Sequence, residues 1–125
     1  MGRGRFTDDI VLPRMTAAVV LRSPHAHAAV RRIDVETARG MPGVLAVLTA
    51  ADAVADGIGP IKVVDKIRNR DGSMPFTPRR TILADSRVRY VGEPVALVVA
   101  ETEALARDAA EAIEVDYESL PAVGD

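Results

Sequence analysis

Two groups of side chains in this 125-residue chain have types and spacings that could do chemistry. The first is His25 and His27, its two histidines, in an H-x-H pattern. In an extended segment residues i and i+2 face the same way, so both imidazoles can address one ion. Two ligands do not close a metal site, and no third is suggested nearby, so hydrogen-bonded turn histidines are the ordinary reading. The second is Glu93, a carboxylate between Gly92 and Pro94. Glycine allows φ > 0 and proline fixes φ while giving up its N–H, so Gly92-Glu93-Pro94 reads as a rigid turn. A carboxylate held there can orient a substrate, or it can cap local amides as turn carboxylates ordinarily do. The chain contains no G-x-S-x-G elbow, Walker loop or glycine-rich dinucleotide fingerprint.

Composition narrows the function classes further. There is no cysteine, which removes disulfides, iron–sulfur ligation and thiolate zinc sites from this chain. A net charge of −2 with scattered basic residues gives no nucleic-acid or membrane footprint. No apolar run approaches the roughly 20 residues of a membrane span, and the polar Gly2–Asp9 start is not a signal peptide. The expectation is a cytoplasmic protein. One domain is expected over residues 1–125, long enough to bury roughly two thirds of its unfolded surface. With two Phe, two Tyr and no Trp, its core must be built from small and β-branched side chains.

The elements that would position these residues are legible in order. Met1–Arg5 reads as a frayed start with Arg3 and Arg5 in solvent. Met15–Arg22 is a strand stopped at Ser23-Pro24, so the histidines follow a strand end. Ala28–Val35 is a second strand, Glu36–Arg39 one helical turn, and Val44–Leu48 a third strand leading to Thr49, which can cap a short helix with Asp52. Residues 56–78 are a glycine- and proline-rich loop with a charge run at Asp65–Asp71, unusually long for a compact domain, and they read as a segment ordered by neighbouring protein or, alternatively, as a flexible solvated excursion. Thr81–Ala84 is a short strand candidate.

The clearest stretch is Val88–Val123, which parses as turn, strand, helix, strand. Val95–Ala100 is an apolar run covered on both faces. Thr102 caps a helix to about Ile113 with apolar positions Leu105, Ala109, Ala112 and Ile113. Glu103, Arg107 and Glu111 are spaced i,i+4 on its solvated face, and Glu114–Glu118 alternates Val115 and Tyr117 inward. The fold class is α+β, with a mixed sheet and the long helix packed on it. On physics alone the chain has no self-contained active site.

These residues also carry a resemblance. VLRSPHAHAAVRRIDVETARGMPGVLAVLTAADA (Val20–Ala53) and VRYVGEPVALVVAETEALARDAAEAIEVDYESLPAV (Val88–Val123) resemble the α/β hammerhead domain of the xanthine dehydrogenase and aldehyde oxidase family. GRGRFTDDIVLP (Gly2–Pro13) is similar to the entry into that domain. The S-P-H-A-H-A and Y-V-G-E-P blocks are most similar to the large subunit of carbon monoxide dehydrogenase-like enzymes, and His27 fits the family more broadly than His25.

The resemblance implies a parent enzyme that hydroxylates an aldehyde or N-heterocycle, or oxidises CO. It would use water, molybdenum on molybdopterin cytosine dinucleotide, and [2Fe–2S] and FAD on companion subunits. The family's catalytic glutamate and pterin loops lie in a longer segment following this domain. The chain is therefore expected to contribute no catalytic, cofactor-binding or metal residue, to be inactive alone, and to be a domain cut from, or coded apart from, its subunit. Its role would be to pack on the remaining molybdenum-binding domains and help wall the substrate channel. The expected contacts are two tips, Ser23, His25 and His27 on one and Tyr90, Gly92 and Glu93 on the other, together with loop 56–78. A stand-alone binding module of the same fold is the alternative.

Overall fold

The apolar run at 95–100 becomes the middle strand of a sheet, and the fold is arranged around it. The computed structural model describes residues 4, 6, 9–62 and 67–122; Arg3 and Arg5 and part of the 65–71 charge run lie outside the described residues. Chain order is β1 (Ala17–Arg22), β2 (Ala28–Asp34), α1 (Glu36–Arg39), β3 (Val44–Leu48), α2 (Ala50–Ala55), β4 (Arg87–Val88), β5 (Pro94–Ala100), α3 (Glu103–Glu111) and β6 (Glu114–Ser119). The strands form two three-stranded antiparallel sheets, ordered β1-β5-β3 and β4-β2-β6.

Alternation along β5 divides the core in two. Ala96, Val98 and Ala100 belong to a cluster with Val47, Ala106, Ala109, Ala110 and Ile113, which seats α3 on the first sheet. Val95 belongs to a second cluster with Ala28, Ala84 and Val88, next to Val30 and Tyr117 of the second sheet. Alanines on both α3 and β5 let helix and strand approach closely, as the scarcity of large aromatic residues requires. The Thr102 hydroxyl accepts from the Leu105 N–H at 3.3 Å and starts α3 as expected. The helix stops at Glu111, two residues short of the expected Ile113, with Ala112 as its C-cap; Ala109 and Ile113 are buried, Leu105 and Ala112 half-buried, and Ala106 and Ala110 complete the seat.

The α+β class holds, but the sheet arrangement differs from the single mixed sheet expected. Strands β5 and β6 flank α3 yet lie in different sheets. Both edges of β5 are occupied, by β1 and β3, so β6 has no place beside it and pairs with β2 instead. The strand expected at 81–84 is also absent. Leu83 and Ala84 are buried, but only the Ala84 N–H to Pro94 O bond of 2.8 Å ties this segment to β5. The chain reaches a free strand edge only at 87–88, where it meets Ala28 and Ala29 of β2.

Two local contacts fix the rest of the first layer. The Asp52 carboxylate accepts from both the backbone N–H and the hydroxyl of Thr49 at 2.7 Å, which closes the N-terminus of α2. These bonds, the hydroxyl's above all, hold the Asp52 carboxyl below the ordinary aspartate value. Its folded value is lowered, so the stability it contributes is present above about pH 4 and lost as the pH falls through that lowered value. Thr49→Val should therefore flatten the acid limb of a stability–pH curve followed by urea unfolding; an unchanged limb would refute the assignment.

Gly43 is the second contact. It has φ +78°, and a Cβ there would stand 2.6 Å from Leu105 Cδ1. Gly57 has φ +74° but open space around it. Gly43→Ala should cost about 2–4 kcal/mol and Gly57→Ala about 1 kcal/mol in the same urea experiment. Leu105→Ala should recover part of the Gly43→Ala loss, since the two residues touch. Additive losses would show that the Leu105 contact does not matter.

Candidate functional site

The two tips named from sequence are brought together at one end of the first sheet. β1 ends at Arg22 and β5 begins at Pro94, and these two residues are register partners. Past that point the chains stay clasped: Ser23 N–H donates to Glu93 O at 2.9 Å, and Gly92 N–H donates to Ser23 O at 2.8 Å. The Arg22 guanidinium adds a bond to Gly92 O at 2.9 Å. Gly92 takes φ +87°, the left-handed conformation that its place in the turn requires, and Glu93 N–H closes the turn onto Tyr90 O at 3.2 Å.

Side chains lock both tips from inside. Ser23 is only 2% exposed; its hydroxyl donates to His25 O at 3.2 Å and accepts from His25 N–H at 3.0 Å. Glu93 is 8% exposed, and its carboxylate accepts from the Arg89 N–H and faces the Arg89 guanidinium at 3.4 Å. It thus caps local amides, the structural alternative raised from the sequence.

The histidines diverge, because residues 23–27 bend instead of continuing the strand. The His25 ring packs against Tyr117 of β6, with centroids 4.7 Å apart and planes at 48°. His27 Nδ1 lies 2.7 Å from Pro121 O; a carbonyl only accepts, so Nδ1 carries the proton, and Leu120 N–H returns a bond to His27 O at 2.9 Å. Among the described residues no group of three His, Asp or Glu could hold a metal ion.

Sequence reasoning missed three residues here. Arg22 and Arg89 brace the turn, and Tyr117 was read only as an inward strand residue. Tyr117 lies 92 positions from His25 in the chain, so no local spacing reports their contact. Burial raises the Tyr117 phenol above the ordinary 10.0, partly offset by the Ser23 hydroxyl. The outer surface of the site is apolar: Tyr90 is 56% and Val91 65% exposed at the crest of the turn.

The comparisons with known proteins follow this geometry. Residues 1–121 match the model of the family described as "Aldehyde oxidase and xanthine dehydrogenase, a/b hammerhead domain". The chain belongs to that family. This hammerhead domain is 40% identical over 99% of its length to the carbon monoxide dehydrogenase large chain of Afipia carboxidovorans, covering 14% of that protein. It is 38% identical over 98% of its length to the xanthine dehydrogenase molybdenum-binding subunit of Escherichia coli O157:H7, covering 16% of it. Among solved structures, quinoline 2-oxidoreductase from Pseudomonas putida 86 superposes with a TM-score of 0.80 at 41% identity, over 97% of this chain and 15% of that one. The hammerhead domain thus spans about one seventh of the length of such relatives. No helix among the described residues is long and apolar enough to cross a membrane.

The relatives imply a molybdenum cofactor, and the tips do not form a cradle for one. Glu93 is spent on Arg89, Ser23 on the His25 backbone, and His27 Nδ1 on Pro121, so these polar groups already have partners within the chain and do not fit the task by themselves.

The Tyr117 environment gives a direct test. In Tyr90→Phe the remaining tyrosine is Tyr117, and its tyrosinate absorbance should rise with a midpoint above 10.0. A raised folded value means that the stability from the half-buried phenol is complete below pH 10 and is lost as the pH climbs through the raised value. A midpoint at or below the ordinary value would contradict this packing.

Proposed function

We propose that residues 1–125 form one structural hammerhead domain of a molybdenum hydroxylase large subunit. In this reading the domain packs on the molybdenum-binding domains of that subunit and helps wall the substrate channel. The observation that carries it is the clasped end of the first sheet. Ser23, His25, His27, Gly92 and Glu93 are fixed by the chain's own hydrogen bonds and ring contacts, while Tyr90 and Val91 are held outward on a rigid turn. A pre-organised turn with an exposed apolar crest suits docking against protein, because little ordering entropy is lost on contact.

On this reading the chemistry belongs to the parent complex. Molybdenum on molybdopterin cytosine dinucleotide would accept the substrate's electrons, and [2Fe–2S] and FAD subunits would carry them away. This chain's residues hold shape: Arg22 and Arg89 stiffen the turn, and His25 and Tyr117 tie it to the second sheet. The complex would be cytoplasmic, with no nucleic-acid or membrane partner.

The test is a chimera in which this chain replaces the matching segment of the carbon monoxide dehydrogenase large chain, with the native large chain as control. The chimera should assemble and retain molybdenum by metal analysis. Tyr90→Asp with Val91→Asp should lower assembled yield about tenfold or more while the same changes leave the melting temperature of the isolated chain unaltered. A chimera that folds but takes up no molybdenum, or indifference to the double substitution, would sink the proposal.

A further inference from the structure

The loop expected over 56–78 leaves one feature that the docking end does not use. Past α2, Ile61 N–H donates to Arg80 O at 2.7 Å, and this bond marks the base of an arm described over residues 67–80. Its far end is not shapeless. Asn69 N–H donates to Ser73 O, and Gly72 N–H to Asn69 O, both at 2.9 Å. Gly72 has φ +83°, the Asp71 carboxylate accepts from the Ser73 N–H and hydroxyl, and the Arg68 guanidinium donates to Gly72 O at 2.9 Å. The far end of the arm is therefore a pre-formed turn.

The sides of this turn carry large apolar side chains that are exposed. Phe76 is 91% and Ile67 78% exposed, and Met74 is exposed as well. Three large apolar side chains within ten residues, one of them aromatic in a chain that has few aromatics, thus stand in solvent on one short segment. Residues 67–80 also hold four arginines, Arg68, Arg70, Arg79 and Arg80, against one acid, Asp71, although the whole chain carries −2. Arg79 reaches Asp85 at 3.6 Å at the base, and residues 67–80 are all exposed.

We infer that residues 67–80 are a docking arm whose apolar side chains enter a groove with an acidic rim. Resting on the reading above, that groove lies on the molybdenum-binding part of the same large subunit. The arm's own chemistry defines the partner. Ile67, Met74 and Phe76 need an apolar floor, and the excess of arginine needs carboxylates around it. A single large-subunit surface would then engage the domain at two places, the Tyr90–Val91 crest and the arm.

Hydrogen exchange tests it on the free chain and on the full-length chimera described above. The amides of Met74, Phe76 and Thr77 should exchange freely in the chain alone and slow about tenfold or more in the chimera. In the chimera, Phe76→Ser and the pair Arg70→Glu, Arg80→Glu should each abolish that slowing, while leaving the melting temperature of the free chain unchanged. A chimera that assembles with molybdenum but leaves the arm exchanging freely would overturn the arm and spare the docking end. A chimera that does not assemble would overturn both. Dimerisation of the free chain through the arm, or binding of the arm to phosphatidylglycerol vesicles with no slowing in the chimera, would assign the surface to another occupant and also overturn it.

Discussion

Everything in this domain depends on β5 having both edges and both faces occupied. β1 and β3 pair with its two sides; the Ala96, Val98 and Ala100 side chains meet α3, and Val95 enters the second core. A strand so enclosed cannot shift register without moving its whole apolar set. The turn that feeds it must therefore arrive at one position, and Gly92 and Glu93 are where the arrival is enforced. The clasp of Ser23 to Gly92 and Glu93 extends the β1–β5 pairing past the last strand residue, so the candidate docking end inherits the rigidity of the core.

The same constraint explains what could and could not be read from the sequence. Local patterns sufficed where one residue's environment is set by near neighbours. Val95–Ala100, the Thr102 cap, the Glu36–Arg39 turn and the Thr49–Asp52 pair are all found as expected. Pairing between distant strands left no such trace. Nothing in Glu114–Ser119 says that β6 joins β2 and not β5, since the alternation of Val115 and Tyr117 suits either sheet. The strand expected at 81–84 failed for a related reason: Leu83 and Ala84 are apolar because they are buried, and burial does not require a ladder partner.

The candidate site was legible in part. Residue types located both tips, and the glycine–proline turn argument gave the geometry at Gly92 directly. The structural use of Glu93 depended on Arg89, four residues earlier, in a segment with no helical spacing to suggest an ion pair. The H-x-H pattern implied a shared direction that only an extended backbone provides; the bend at 23–27 sends His25 to Tyr117 and His27 to Pro121. Side chains that could have done chemistry are instead committed to holding shape. That commitment agrees with a domain that matches about one seventh of the large subunits it is related to.

The central claim is that the clasped end faces the molybdenum-binding part of a large subunit. Placing a photo-reactive side chain at position 91 of the chimera and mapping the cross-links addresses this most directly. The account predicts cross-links from position 91 to the molybdenum-binding segment of the same chain. Cross-links only to a second copy, or none in an assembled, molybdenum-loaded chimera, would contradict it.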